Sequence, residues 1–432
     1  MKRIRFLISI ILISAIILSS QSFVFSASAL EVFEDSFSKE YLGDVNSDGL
    51  VTAVDARMIL RYTAGLVELD EKSMQYADCN EDGEVTAVDA RIVLQVTAGL
   101  IKPVNPYEKE LNELREKWVK DIFNKVSYDE ISADLKWLVD DIGVRSWWDL
   151  TQNNAGGEIY KKLISYGYTS TNCKKIEFRH NDVKGINLLA TIPTAKENPD
   201  ILLFVTHYDT VRNVSGAVDN ASGVVTLLQM AKIFLQSGKD YGVEIRFLFT
   251  AGEEQYFYGA RNYARSLPEA EKSRHKIVFN VDMTAKPNDN YKPGEKYYLT
   301  VSTEPVETDL YIPSVAKGNI GSIAIDSAKA MLGDIGEDGY YSPVRAGISD
   351  IIPFRAEGME TVSLSWRCID AQRSKGADFD LACPPNNHLP EDNMENTDVD
   401  SLYNTTRLTV CAAAKLICPY MDELQLKNDG EN

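Results

Sequence analysis

Histidine and cysteine are scarce in this 432-residue chain, with four of the first and six of the second. The cysteines, Cys79, Cys173, Cys368, Cys383, Cys411 and Cys418, are too few to staple a chain of this length. That excludes a disulfide scaffold, and none of the spacings suggests a thiolate zinc site. Cys411 and Cys418 fall in a helix-like segment about 10 Å apart at 1.5 Å per residue, beyond the reach of a bridge, and read as core residues. Cys368 and Cys383 could pair across a loop or stay reduced. Positive charge is also short, 45 Lys and Arg against 64 Asp and Glu. A net charge of -19 repels phosphate backbones, so no nucleic-acid partner is expected. Long apolar runs are missing too. The run from Phe6 to Leu18 has 13 residues, whereas a bilayer span takes about 20, so no permanent membrane anchor is expected. Lys2, Arg3 and Arg5 precede that run and Ala27-Ser28-Ala29 follows it, the pattern of an export signal over residues 1–29. The protein is therefore expected outside the cell.

What is present includes an internal repeat. GDVNSDGLVTAVDARMILRYTAGL, from Gly43 to Leu66, recurs as ADCNEDGEVTAVDARIVLQVTAGL from Ala77 to Leu100, a period of 34 residues. Each copy sets oxygen donors at the spacing of a calcium loop: Asp44, Asn46, Asp48, Thr52 and Asp55, then Asp78, Asn80, Asp82, Thr86 and Asp89. Gly49 and Gly83 sit where such a loop turns sharply, and the carbonyls of Leu50 and Glu84 complete each set. Two calcium ions are expected. The twelfth position is Asp rather than Glu, and one helix follows each loop, so the segment from Tyr41 to Pro103 resembles a type I dockerin. That resemblance implies a cohesin domain of a scaffoldin as partner and a place in a cellulosome. It also implies partner contacts at Ala53, Val54, Leu60 and Arg61 and at Ala87, Val88, Leu94 and Gln95, although these apolar positions could equally pack inside the module. Calcium loops that merely hold a small domain together remain the plainer alternative.

Residues 104–110 read as a linker and 422–432 as a polar tail, with a second unit over 111–421. Within it, strand-like runs (186–192, 201–206, 243–249, 277–281, 361–365) alternate with helix-like ones (222–236, 256–266, 400–417). Continuous apolar strands interleaved with helices argue for a three-layer α/β fold on a mostly parallel sheet.

In such folds ligands bind beyond the carboxyl ends of strands. His207 directly follows ILLFVT, Glu253 and Glu254 follow VEIRFLFTAG, and Asp282 ends IVFNVD. Asp219 opens the turn before a helix, and His388 lies in PPNNHLPED before the last long helix. Two imidazoles and three carboxylates, one of them bridging, suit two zinc ions. His180 and His275 have no such company and read as ordinary core or surface residues.

In order along the chain, THYDTV, GAVDNASGV, FTAGEEQYFYGAR, VFNVDM, SDIIPF and HLPEDN resemble the secreted dizinc aminopeptidases among the zinc-dependent exopeptidases. The resemblance covers roughly 134–421. It implies one zinc held by His207, Asp219 and Asp282 and a second by Asp219, Glu254 and His388. It also implies that Glu253 is the general base on the attacking water, and that Asp209 fixes the His207 tautomer. Within SDIIPF, Asp350 and Phe354 either face substrate or support their loop, and Asp392 is expected to order the His388 loop. Many relatives carry an aromatic residue immediately before the last histidine, where this chain has Asn387. That departure removes one expected oxyanion donor, a place Tyr340 or Tyr341 could take. The expected activity is removal of N-terminal residues from peptides. Two alternatives stand beside it: a single-zinc glutaminyl cyclase on the same fold, and a catalytically inactive binding module carried by the dockerin.

Overall fold

The computed structural model describes residues 41–304 apart from 292, 294 and 296, then 324, 340–345, 349–369 and 381–427. The expected export signal lies outside the described residues. The chain divides into two units, 1–113 and 114–432.

In the first unit each acidic loop runs directly into a helix. Thr52 caps α1 (Ala53–Thr63) by accepting from the Val54 amide, and Asp55 reaches back to the Thr52 amide. After α2 (Glu71–Ala77), Thr86 and Asp89 repeat that reciprocal cap on α3 (Ala87–Thr97), which is how one sequence motif writes one structure twice. The buried faces of α1 and α3, Ala56, Ile59, Ala90 and Val93, meet Val45 and Ala77 in a small core. Ala53, Val54, Leu60, Arg61, Ala87, Val88 and Leu94 stand outside that core, exposed, and Gln95 is half-buried. The packing alternative for these positions is therefore not what the fold shows.

α4 (Pro106–Phe123) begins inside the stretch expected to be a linker, with proline in the first turn where its missing N–H costs nothing. The expected polar tail likewise opens with a helical turn, Glu423–Lys427, whose Leu426 is buried.

The second unit starts with α5 (Tyr128–Lys136) and α6 (Thr151–Ser165), then the hairpin β1 (Cys173–His180) and β2 (Val183–Ile192). β3 (Ile201–His207), α7 (Ser222–Gln236), β4 (Glu244–Thr250), α8 (Tyr258–Ser266) and β5 (His275–Val281) form its centre. β6 (Tyr297–Glu304), β7 (Tyr340–Arg345), α9 (Ile351–Ala356), β8 (Thr361–Ile369), β9 (Leu381–Ala382) and α10 (Val399–Ile417) follow. The sheet order is β1-β2-β4-β3-β5-β8-β6-β7, with β9 on β8. β4, β3, β5 and β8 run parallel, β2 joins β4 and β6 joins β8 antiparallel, and β1 lies antiparallel on β2, so the sheet is mixed around a parallel centre.

β3 is buried along its whole length. Leu203 and Val205 pack with Val278, α8 and α9 on one face. Phe204, on the alternate face, stacks with Phe247 and Phe279 at 5.8 and 5.6 Å. α7 covers β3 and β5 and is itself covered by α10. No disulfide joins any of the six cysteines. Cys368 pairs in register with Ala382, which puts Cys383 one residue out of step and on the face of Arg367, whose Nη1 lies 2.7 Å from the Cys383 sulfur.

Candidate metal centre

Because β4, β3 and β5 are parallel neighbours, their carboxyl ends share one edge, and His207, the Glu253–Glu254 turn and Asp282 meet there. Asp219 arrives from the turn Ala217–Ala221, which breaks helical geometry at Asp219 and Asn220 across a cis peptide bond. The Asn220 side chain pins that turn to the strand ends, donating to Thr206 Oγ1 (3.0 Å) and the Val281 carbonyl (3.2 Å) and accepting from the Gly223 and Met283 amides. Only glycine fits at 223, since a Cβ there would lie 2.3 Å from Asn220 Oδ1 and 2.5 Å from Thr206 Oγ1.

The Asp219 carboxylate stands between the two imidazoles. Its Oδ1 is 3.2 Å from His207 Nε2, and its Oδ2 is 3.4 Å from His388 Nε2. Asp282 Oδ1 lies 3.4 Å from His207 Nε2, and Glu254 Oε2 lies 3.0 Å from His388 Nε2. Donors around a tetrahedral zinc, with bonds of roughly 2.0–2.1 Å, stand roughly 3.3 Å apart. Asp219 Oδ1, Glu254 Oε1 and Asp282 Oδ1 are buried yet accept no hydrogen bond. Such oxygens are costly to bury unless something cationic meets them. Asp209, Asp219, Glu253, Glu254, Asp282 and Asp350 crowd six carboxyl groups into this edge, so the donor set fits divalent zinc.

Proton affinities follow from that crowding. Burial opposes charge on His207, but Glu253 and the carboxyl groups of Asp209, Asp219 and Asp282 outweigh it and hold the imidazole well above its usual range. His388, pushed up to about 11, owes this to Asp219 and Glu254. Burial raises Asp219, yet the two imidazoles pull it below the usual carboxylate range. Glu253 is raised well above that range, first by burial and then by Glu254, Asp350 and Asp282. Glu254 is pushed up to about 7 by burial and Asp219, and Asp350 to about 7 by burial.

The surroundings refine several expectations. The His207 ring Nδ1 faces the backbone carbonyl of Asp209 at 3.2 Å, with the carboxylate farther off at 3.7 Å. That carboxylate instead accepts from the amides of Glu253 (3.0 Å) and Glu254 (3.3 Å), holding the turn that aims both glutamates. Asp392 accepts from the Val218 and Asp219 amides at 2.7 and 3.0 Å, so it ties the His388 loop to the Asp219 turn. Asp350 is fully buried and accepts from Thr250, with Oδ1 unpaired behind the centre. Phe354 is a correction: it is fully buried in the core with Tyr263 and Leu203, so it faces the sheet and not substrate. The Tyr340 and Tyr341 side chains fall outside the described residues.

Three supports have partners that the sequence did not indicate. Ser349 donates to Asp282 Oδ2 at 2.8 Å, leaving Oδ1 to face His207. The Asn387 amide donates to Asp219 Oδ2. Arg145 is wholly buried and gives its guanidinium to the carbonyls of Tyr208, Leu138, Gly143, Ser215 and Gly216, at 2.7 to 3.2 Å. Burial lowers its pKa to about 10 against the pull of Asp392, Asp209, Asp219 and Glu254.

The calcium loops have a comparable internal logic. Buried Asp55 accepts from the Val45, Asn46 and Thr52 amides, and Asp89 from those of Cys79, Asn80 and Thr86. Asp44 and Asp78 receive the amides of Asp48 and Gly49 and of Asp82 and Gly83. The glycines turn at φ of 84° and 88°, as the sixth position requires. Every residue at an expected ligand position offers an oxygen, which is the donor type that calcium takes.

The model of Peptidase family M28 matches residues 187–413, and that of the Dockerin type I domain matches 42–95. Aminopeptidase YwaD of Bacillus subtilis is 26% identical over 225 residues, 52% of this chain and 43% of that protein. The chain thus spans less than half the length of that relative. Among solved structures, the LapA aminopeptidase of Legionella pneumophila superposes with a TM-score of 0.51 at 21% identity, covering 70% of this chain and 74% of that one. A glutaminyl cyclase of Porphyromonas gingivalis does so with a TM-score of 0.51 at 20% identity, covering 67% and 98%. At such identities the likeness is one of fold, common to both activities. The match over 187–413 spans more than half of the chain, which therefore belongs to Peptidase family M28 and carries a type I dockerin domain ahead of it.

Proposed function

We propose that this protein is an exported dizinc aminopeptidase, tethered through its dockerin to a scaffold-borne cohesin. One observation carries the reading: Asp219 turns one carboxylate oxygen toward each of two imidazoles, 3.2 and 3.4 Å away. The inner position would be held by His207, Asp219 and Asp282, and the outer one by Asp219, Glu254 and His388. Zinc bound there lowers the pKa of a water and polarises the scissile carbonyl. Glu253, beside His207 and Asp282 and held by Asp209 through its amide, takes the proton from the attacking water and returns it to the leaving amine.

The organisation proposed with it is an export signal over 1–29, a dockerin over 41–103 holding two calcium ions, and a catalytic domain over 111–421. Ala53, Val54, Leu60 and Arg61, with Ala87, Val88, Leu94 and Gln95, form the cohesin face, and their near-identity in the two repeats would present similar contacts twice.

The same fold serves a glutaminyl cyclase, so the test must separate the outcomes. Zinc-loaded protein incubated with a peptide library, read by mass spectrometry, is expected to shorten peptides by single residues from the amino end and to spare N-acetylated ones. Loss of ammonia from N-terminal glutamine alone would indicate the cyclase, trimming from the carboxyl end would reject the aminopeptidase, and unchanged peptides would favour the inactive binding module.

A further inference from the structure

The two halves of the centre are built differently. His207 and Asp282 are buried at strand ends, and Asp219 Oδ1, which faces them, accepts no hydrogen bond. His388 instead comes from a loop, with φ of 61° and 51% of its side chain exposed. Asp219 Oδ2, which faces His388, is the oxygen that receives the Asn387 amide. Asn387 is half-buried, and the same amide nitrogen lies 3.8 Å from Met283 Sδ.

Asp392 fixes the Asp219 backbone through its amide, but that leaves the side-chain torsion undetermined. Among the described residues, Asn387 is the one amide donor to the Asp219 carboxylate. A carboxylate oxygen has two lone pairs, so one can accept this hydrogen bond while the other faces a metal. We propose that Asn387 is a positioning residue: it holds the outer oxygen of Asp219 in register and thereby sets zinc affinity at the Glu254–His388 position independently of the His207–Asp282 position. The inference rests on the two-zinc reading above. It also gives Asn387 a task where an oxyanion donor was expected: its hydrogen bond goes to the bridging carboxylate.

The test is a zinc titration of the full chain, stripped of zinc and resupplied with calcium, by calorimetry in competition with a chromophoric chelator. Wild type is expected to take up zinc in a tight and a weaker step, and His388→Ala to lose the weaker one, which identifies it as the outer position. Asn387→Ala and the isosteric Asn387→Asp, which has no N–H to donate, should each weaken the outer step by about tenfold to a hundredfold and leave the inner step in place. A merely structural role for Asn387 would move both steps together, and that outcome overturns the inference. So does an outer step unmoved by either variant while two zinc ions still bind. Wild type that binds one zinc or none overturns the two-zinc reading and the inference with it.

Discussion

Replacing Glu253 by glutamine separates the roles of two adjacent glutamates. The substitution keeps shape and leaves the backbone bond from residue 253 to Asp209 (3.0 Å) in place. It removes the one property that a base requires, a carboxylate that can take a proton. General acid–base catalysis contributes about 10²–10⁴-fold, roughly 3–5 kcal/mol of barrier, so kcat/KM on an amino-acid anilide should fall by that factor. Zinc content should stay at two per chain. Stability should not suffer either. Burial and the charges of Glu254, Asp350 and Asp282 hold Glu253 well above the usual carboxylate range, so ionising it in the metal-free fold is unfavourable. A neutral amide escapes that cost, and the zinc-free variant should unfold at the same temperature as wild type or higher. Glu254→Gln should behave in the opposite way, losing the outer zinc because the group facing His388 at 3.0 Å is weakened. Glu253→Gln with wild-type turnover, or with one zinc missing, would refute the division of labour.

Phe354→Ala should lower stability by about 3–5 kcal/mol through the cavity it leaves while KM stays unchanged; a raised KM in a fully stable variant would return Phe354 to the substrate side. His275, buried against the Glu271 carbonyl at 2.9 Å with Nε2 unpaired, is pushed down to about 4 by burial. The folded state then binds fewer protons than the unfolded chain, whose histidine titrates near 6.5. Stability is therefore fully present above pH 6.5 and is lost as pH falls towards 4, by about 3 kcal/mol in all. His275→Gln should flatten that part of the stability–pH curve, and an unaltered slope in denaturant titrations would count against the assignment. Asp55→Ala removes the acceptor for the Val45, Asn46 and Thr52 amides, so the calcium-induced rise in helical circular dichroism should shrink and cohesin capture should weaken. Retention of both would detach the first loop from calcium.

The grouping of His207, Glu253, Glu254 and Asp282 was legible in the sequence because each sits at or just past the end of an apolar strand, whereas Asp219 comes from a turn and His388 from a loop. ILLFVT ends at His207 and IVFNVD at Asp282, and a parallel sheet must bring those ends to one edge. The helix expected over 222–236 and the strand over 201–206 emerge almost unaltered, since both are long or fully buried apolar segments. The edge strands β1 and β7, and β6 next to β7, went unread, because half-polar strands towards a margin pair by tertiary context and not by pattern. Phe354 could not be told from a cleft residue by type, since an aromatic side chain suits either place until its neighbours are known. Arg145 and Ser349 act through hydrogen bonds to residues 60 or more positions away, such as Tyr208 and Asp282, and no local spacing records such partners.

The most direct test of the Asp219 bridge is anomalous diffraction at the zinc absorption edge from crystals of the zinc-loaded protein. Two peaks roughly 3.5–4 Å apart are expected astride the Asp219 carboxylate, one beside His207 and Asp282 and the other beside Glu254 and His388. A single peak, or two peaks with Asp219 bound to only one, would contradict the account.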